Sequence, residues 1–302
     1  MLLRSQAAWE RRLGHARTGA VLVAASAVAY STAGYFTRII DLDAWTILLW
    51  RGLYAGLAIL AFIGWQQKRH TVSAFSAIGW AGIAVAFCSA FATIGYINAL
   101  RLTSVAEALA ISATAPFLTA GMAWIWTGDR TATSTLVASG VAFLGVVVTM
   151  NGATTQGHIL GNLLALVVAL CLSAMMVIIR QYRQISMLPA TCLSAFLCSI
   201  LVLPVALPSS ADGSTMILLM LFGTAQFGLG LILLTLGNRM ISASRTALIS
   251  CLDVPMGALW VWLAFNEMPP IAACIGGTLI MAAVVGDTLA TRAEDERSVC
   301  NR

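Results

Sequence analysis

Three ionisable side chains stand inside stretches that are otherwise apolar: Asp253, Glu107 and Arg51. A charge at the centre of a bilayer costs roughly 2.5 to 3.5 kcal/mol on insertion scales, so such groups persist where protein, water or a ligand faces them. Asp253 lies ten residues into its run, about 15 Å deep at the helical rise, and is the deepest carboxylate. Thr246, Ser250 and Asp253 fall on one helical face, and Glu107 and Thr114 occupy the matching places in an earlier run. A carboxylate so placed binds a substrate ammonium or carries a proton, with Glu107, nearer the outside, tuning entry; hydrogen bonding to neighbouring helices is the plainer alternative. For Arg51 two readings stand: a clamp for a substrate carboxylate, or an ion pair with Glu107, Asp41 or Asp43.

Pro116 and Pro255 each remove a backbone donor in mid-run, which leaves the carbonyls of Ser112 and Cys251 without their usual helical partner. A kink at these points suits gating, and simple curvature for packing competes with that reading. Aromatic rings hold flat or cationic metabolites. Tyr30, Phe91, Tyr96 and Trp260 are the ring candidates for a cavity, with Ser31, Asn98, Ser173 and Gln226 as polar company. A largely apolar pocket with a few convergent polar groups is how small-molecule sites are built.

The elements that must carry these residues are helices. Of the 302 residues, 60% are hydrophobic and 10% charged, and ten apolar runs approach the roughly 20 residues that a bilayer core requires. They cover 18–37, 44–65, 76–99, 103–126, 132–151, 161–180, 189–208, 215–237, 243–265 and 270–290. Open strands leave backbone groups unsatisfied in lipid, and the runs lack the alternation of a barrel. The expected fold class is therefore an all-α membrane protein with ten transmembrane helices. Arg4, Arg11, Arg12 and Arg17 ahead of the first run, with Ala25-Ser26-Ala27 inside it, imitate a secretory signal. The run continues past that point, as an uncleaved first span does.

Positive charge sets the orientation. Fourteen of the seventeen Lys and Arg residues fall on one side: Arg4, Arg11, Arg12, Arg17, Lys68, Arg69, Arg130, Arg180, Arg183, Arg239, Arg245, Arg292, Arg297 and Arg302. Arg38 and Arg101 fall on the other. Both termini are expected in the cytoplasm, with segments 1–17 and 291–302 as short flanks of a multi-pass protein of the cell inner membrane. The pI of about 9.0 follows from this bias, so anionic lipids are the expected partners and nucleic acid is not.

The chain reads as one five-span unit written twice, over 18–151 and 161–290. Gly19, Ser31 and Arg38 recur as Gly161, Ser173 and Arg180 at an offset of 142, and Ser104, Ala108, Leu109, Pro116 and Phe117 face Ala243, Ala247, Leu248, Pro255 and Met256 at 139. An odd number of spans turns the second unit upside down. Two inverted five-helix repeats form a transporter architecture, with the substrate near the midplane between halves that exchange conformations.

At this point the chain resembles a known family, the ten-helix drug/metabolite transporter superfamily and its EamA branch. The resemblance covers nearly the whole chain and rests on T-S-V-A-E-A-L-A-I-S-A-T-A-P at 103–116 with Gly128-Asp129-Arg130 after it, the echo at 242–255 with Asn266-Glu267 after it, and Arg51. It implies two inverted five-helix units that export amino acids, other metabolites or cationic toxins, and the YddG-like exporters of aromatic amino acids are the nearest type. The chain departs from the family in its first span, where Tyr30-Ser31-Thr32-Ala33 replaces a tryptophan-containing motif, and in lacking a second-half counterpart to Arg51.

Apart from Arg51 no Lys or Arg stands well inside a span, which argues against phosphate-bearing substrates. His15, His70 and His158 fall in flanks or loops and the seven cysteines contain no C-x-x-C pair, so neither a metal site nor a cofactor is expected. The expectation is a non-enzymatic secondary transporter for a small amphipathic molecule, monomeric, with amino acids leading, lipophilic cations second, and a membrane-embedded enzyme or scaffold as the reading of another class.

Overall fold

A computed structural model of the chain describes residues 2–68, 71–102, 111–128, 130–149, 159–208, 212–266, 268 and 271–300; Glu107 lies outside them. Every regular element among the described residues is helical. The first half contains α1 (Leu2–Ser31), α2 (Ala33–Ile39), α3 (Ala44–Gln67), α4 (Thr71–Ala77), α5 (Gly79–Leu102), α6 (Ala115–Thr127) and α7 (Thr133–Thr149). The second contains α8 (Ile159–Gln181), α9 (Leu188–Val202), α10 (Gly213–Leu221), a π-helical segment (Phe222–Gly228), α11 (Leu229–Asn238), α12 (Ala243–Ser250), α13 (Asp253–Phe265) and α14 (Ile271–Cys300).

Seven segments are long and apolar enough to cross a membrane: Ala16–Ile39, Ala44–Gln66, Gly79–Tyr96, Ile159–Gln181, Gly213–Asn238, Ala243–Phe265 and Ile271–Ala290. Where the sequence led us to expect ten, two more are the shorter apolar helices α7 and α9, and the run at 103–126 is described only from residue 111 onward. Helix α9 stops at Val202, next to Pro204, which supplies no N–H to carry the ladder on. The chain beyond turns so that the Leu207 N–H reaches the Thr46 hydroxyl at 2.8 Å.

Helix partners repeat between the halves. The most extensive contacts join α7 to α14, α5 to α8, α3 to α9, and α1 to α11. Exchanging the halves turns α5–α8 into the pairing of the α10–α11 span with α1, and leaves α7–α14 and α3–α9 as pairs across the exchange. Small residues allow the close approaches. A Cβ on Gly145 would stand 2.7 Å from the Gly276 carbonyl oxygen, and one on Gly276 would meet Thr149 Oγ1 and the Gly145 carbonyl, so α7 and α14 touch backbone to backbone. Gly52 faces Ser199 and Ala195 in the same way, and Gly56 faces Phe196.

Helices α6 and α13 are equivalent in detail. Each has 13 residues, follows a two-residue break at 113–114 or 251–252, and ends on a left-handed cap, Gly128 at φ 71° or Asn266 at φ 54°. These features lie 138 residues apart, one fewer than the proline spacing of 139 suggests. Asp253 therefore falls opposite Ala115 rather than Thr114.

At the mouth of α3, Asp43 caps the helix by accepting from Trp45 N–H (3.1 Å) and Thr46 N–H (3.0 Å). Burial pushes its carboxyl up, but hydrogen bonds from the Thr46 hydroxyl and these two N–H groups outweigh that and hold it below the usual carboxylate range. Such a lowered group stabilises the fold above its unfolded value and loses the contribution as pH falls through the folded value. Asp43→Ala is expected to cost about 1 kcal/mol. Melting in detergent at neutral pH checks it, and the gap between wild type and variant should close in acid.

Candidate functional site

Three of the membrane-crossing segments are interrupted along their length, and so is the described part of the run at 103–126. The first breaks between α1 and α2, where the Ser31 hydroxyl donates to the Val28 carbonyl and the Thr32 hydroxyl to that of Ala29, each at 2.7 Å, competing with the helical ladder. The fourth and ninth break at 113–114 and 251–252, just before Pro116 and Pro255. The eighth carries the π-helical segment Phe222–Gly228, a local widening common at functional positions.

These breaks meet one another. Ala113, beside the fourth-span break, packs with Cys251, Leu252 and Val254 of the ninth. The Trp260 indole N–H donates to Ser31 Oγ at 2.9 Å, joining the ninth span to the first. Gln226 Nε2 donates to the Tyr30 carbonyl at 3.2 Å, joining the π segment to the same place. Ser173, the offset partner of Ser31, does the corresponding job in the other half by donating to the Ala115 carbonyl at 3.3 Å.

Asp253 opens α13 at this junction. Its side chain is exposed. Tyr96 and Cys251 lie within electrostatic reach. No residue of α13 is fully buried. The Cys251 carbonyl, expected to lack a donor because of Pro255, accepts from Val254 N–H at 3.3 Å through a tightened turn. Pro255 itself seats against Gly277 of α14, and Pro116 is buried.

Arg51 presents a different environment. Its guanidinium carbon lies 4.4 Å from the centre of the Phe227 ring and 5.3 Å from that of Phe222. Among the described residues no carboxylate is within ion-pair range, so neither Asp41 nor Asp43 pairs with it.

The sequence candidates thus separate. Tyr30, Tyr96, Asn98, Thr114, Ser250 and Trp260 are partly exposed around the breaks, and Asp253 is open. Phe91 is 54% exposed and stacks on Phe87. Ser31, Ser173, Gln226 and Thr246 are buried; Thr246 spends its hydroxyl on the Ser242 carbonyl of its own helix. The first three tie helices together.

Sequence reasoning missed a buried ion pair. Arg245 Nε stands 2.9 Å from Asp287 Oδ2, and the Thr135 hydroxyl donates to Asp287 Oδ1 at 2.6 Å. Arg245, counted only among the positive charges of one membrane side, is 8% exposed and Asp287 2%. The signal was present: Asp287 sits within the last apolar run. Arg180 and Arg239 gather at the same end, with Arg180 Nη1 donating to the Arg239 carbonyl at 2.7 Å and Arg239 Nη2 to the Arg183 carbonyl at 2.6 Å. Among the described residues no group of His, Cys, Asp or Glu has the arrangement of a metal site.

Comparison with known proteins agrees with this architecture. One solved structure, described only as the crystal structure of a protein, superposes with a TM-score of 0.78 at 20% identity over 92% of this chain and 98% of its own. No curated protein matches significantly. The model of the EamA-like transporter family matches twice, over residues 17–151 and 159–286, which together span most of the sequence. With both halves matched, the chain belongs to the EamA-like transporter family.

Proposed function

We propose that this protein is a secondary transporter that exports small amphipathic metabolites, amino acids foremost and aromatic ones above all, in the manner of the YddG-like exporters. Ten spans form two inverted five-helix units, 18–151 and 161–290, that rock around a cavity at the broken helices. The protein acts as a monomer in the inner membrane with both termini in the cytoplasm. The observation that carries this reading is the junction of the broken first, fourth, eighth and ninth spans, with the exposed Asp253 carboxylate beside it. Discontinuous helices of this kind form transporter sites near the midplane. The exchange of helix partners between halves supports the inverted repeat, since two packings of similar energy are what alternating access requires.

Asp253 also favours a second reading, the export of lipophilic cations, for which an accessible carboxylate is the natural counter-charge. Purified protein in liposomes, assayed for flux of a panel of amino acids and organic cations, separates the two. Movement of cations alone overturns the amino-acid reading. Absence of any flux overturns transport and favours an enzyme or scaffold.

A further inference from the structure

We infer that Arg51 and the π-helical segment form a carboxylate-binding subsite within the transport cavity, so that the protein selects substrates bearing a carboxylate next to an apolar body. This deepens the amino-acid reading above and rests on it. The guanidinium lies against two rings of one segment, Phe222 and Phe227, which hold its plane and leave its nitrogen edge to other partners. That edge has none. Arg51 makes no hydrogen bond or ion pair among the described residues, and its Nε is enclosed and unpaired. Beside Phe227, the Gln226 side chain is 3% exposed, and its Oε1 also lacks a partner. A half-buried cation without an anion is costly, and ionisable groups kept within spans mark substrate or ion pathways.

The π register is what builds the subsite. Gly223 brings this segment against α3 at Arg51 itself: a Cβ there would stand 2.8 Å from the Arg51 carbonyl oxygen and 2.6 Å from Tyr54 Cβ. Tyr30, tied to Gln226 through its carbonyl, puts its ring 6.4 Å from Phe227 and within electrostatic reach of Arg51. The subsite therefore adjoins the first-span break, where Ser31 meets Trp260. A single planar guanidinium between rings suits the two oxygens of a carboxylate, which it grips with two parallel hydrogen bonds. A phosphate group, with more charge to neutralise, would be poorly served by one cation.

The test compares phenylalanine with phenethylamine, the same molecule without its carboxylate, in proteoliposomes of wild type, Arg51→Met and Arg51→Lys. The expected result is a fall of roughly tenfold or more in phenylalanine flux for Arg51→Met, with phenethylamine flux little changed. Arg51→Lys, which keeps the charge but loses the fork, should fall between. Monodisperse elution and an unaltered melting temperature establish that the variants fold. Should Arg51→Met lower both fluxes alike, or neither, the subsite is overturned while amino-acid export stands. If wild type moves neither compound, the amino-acid reading fails and the subsite is judged by binding alone. In that arm 3-phenylpropionate should raise the melting temperature of wild type and not of Arg51→Met; equal shifts, or none, overturn it.

Discussion

Asp253→Asn should abolish the acceleration of substrate flux by a proton gradient while leaving exchange of substrate down its own gradient. The carboxylate is the exposed acidic group at the junction of the broken spans. Asparagine keeps its shape and removes its proton. A gradient of one pH unit is worth about 1.4 kcal/mol per proton moved, so wild type should accumulate substrate roughly tenfold further per unit of gradient. The variant should show a flat response. Flux measured in proteoliposomes with and without an imposed gradient checks this, and a variant that responds as wild type does removes Asp253 from the coupling role.

Asp287→Ala should destabilise the fold by about 3 to 5 kcal/mol, because it strands the Arg245 charge in a site that excludes water. It also takes the acceptor from Thr135, so three spans lose their common tie. Replacing Arg245 and Asp287 together with Met and Leu should recover most of the loss, since the charge and its counter-charge leave together. Thermal melting in detergent reads both effects. If the single variant melts as wild type does, the pair contributes nothing to stability.

The helical class was legible because a bilayer imposes a length, and apolar runs of that length can be read without tertiary knowledge. The pairing of the fourth and ninth spans was legible too, through Pro116 and Pro255, though its register came out one residue long. Caps at Gly128 and Asn266 correct it, and a left-handed backbone is weakly announced by Asn266. Which face of a span looks inward was much less readable. Thr246 and Ser250 share a helical stripe with Asp253, yet Thr246 bonds its own helix and is sealed. Arg51 was recognised as costly, but its rings come from a segment more than 170 positions away. Their arrival depends on a π-helical widening that periodicity does not encode. The burial of Arg245 was not legible from its place near the start of a run, since its partner Asp287 lies in another span.

The bare-backbone crossing of Gly145 and Gly276 has a consequence for how the molecule moves. With no Cβ on Gly145 or Gly276 to hold α7 and α14 apart, the two helices pack too closely to slide past each other, and separating them would open a gap that no lipid tail could fill well. A displacement of one half against the other would swivel about this fulcrum. The largest excursions then belong to the ends of the interrupted spans farthest from it.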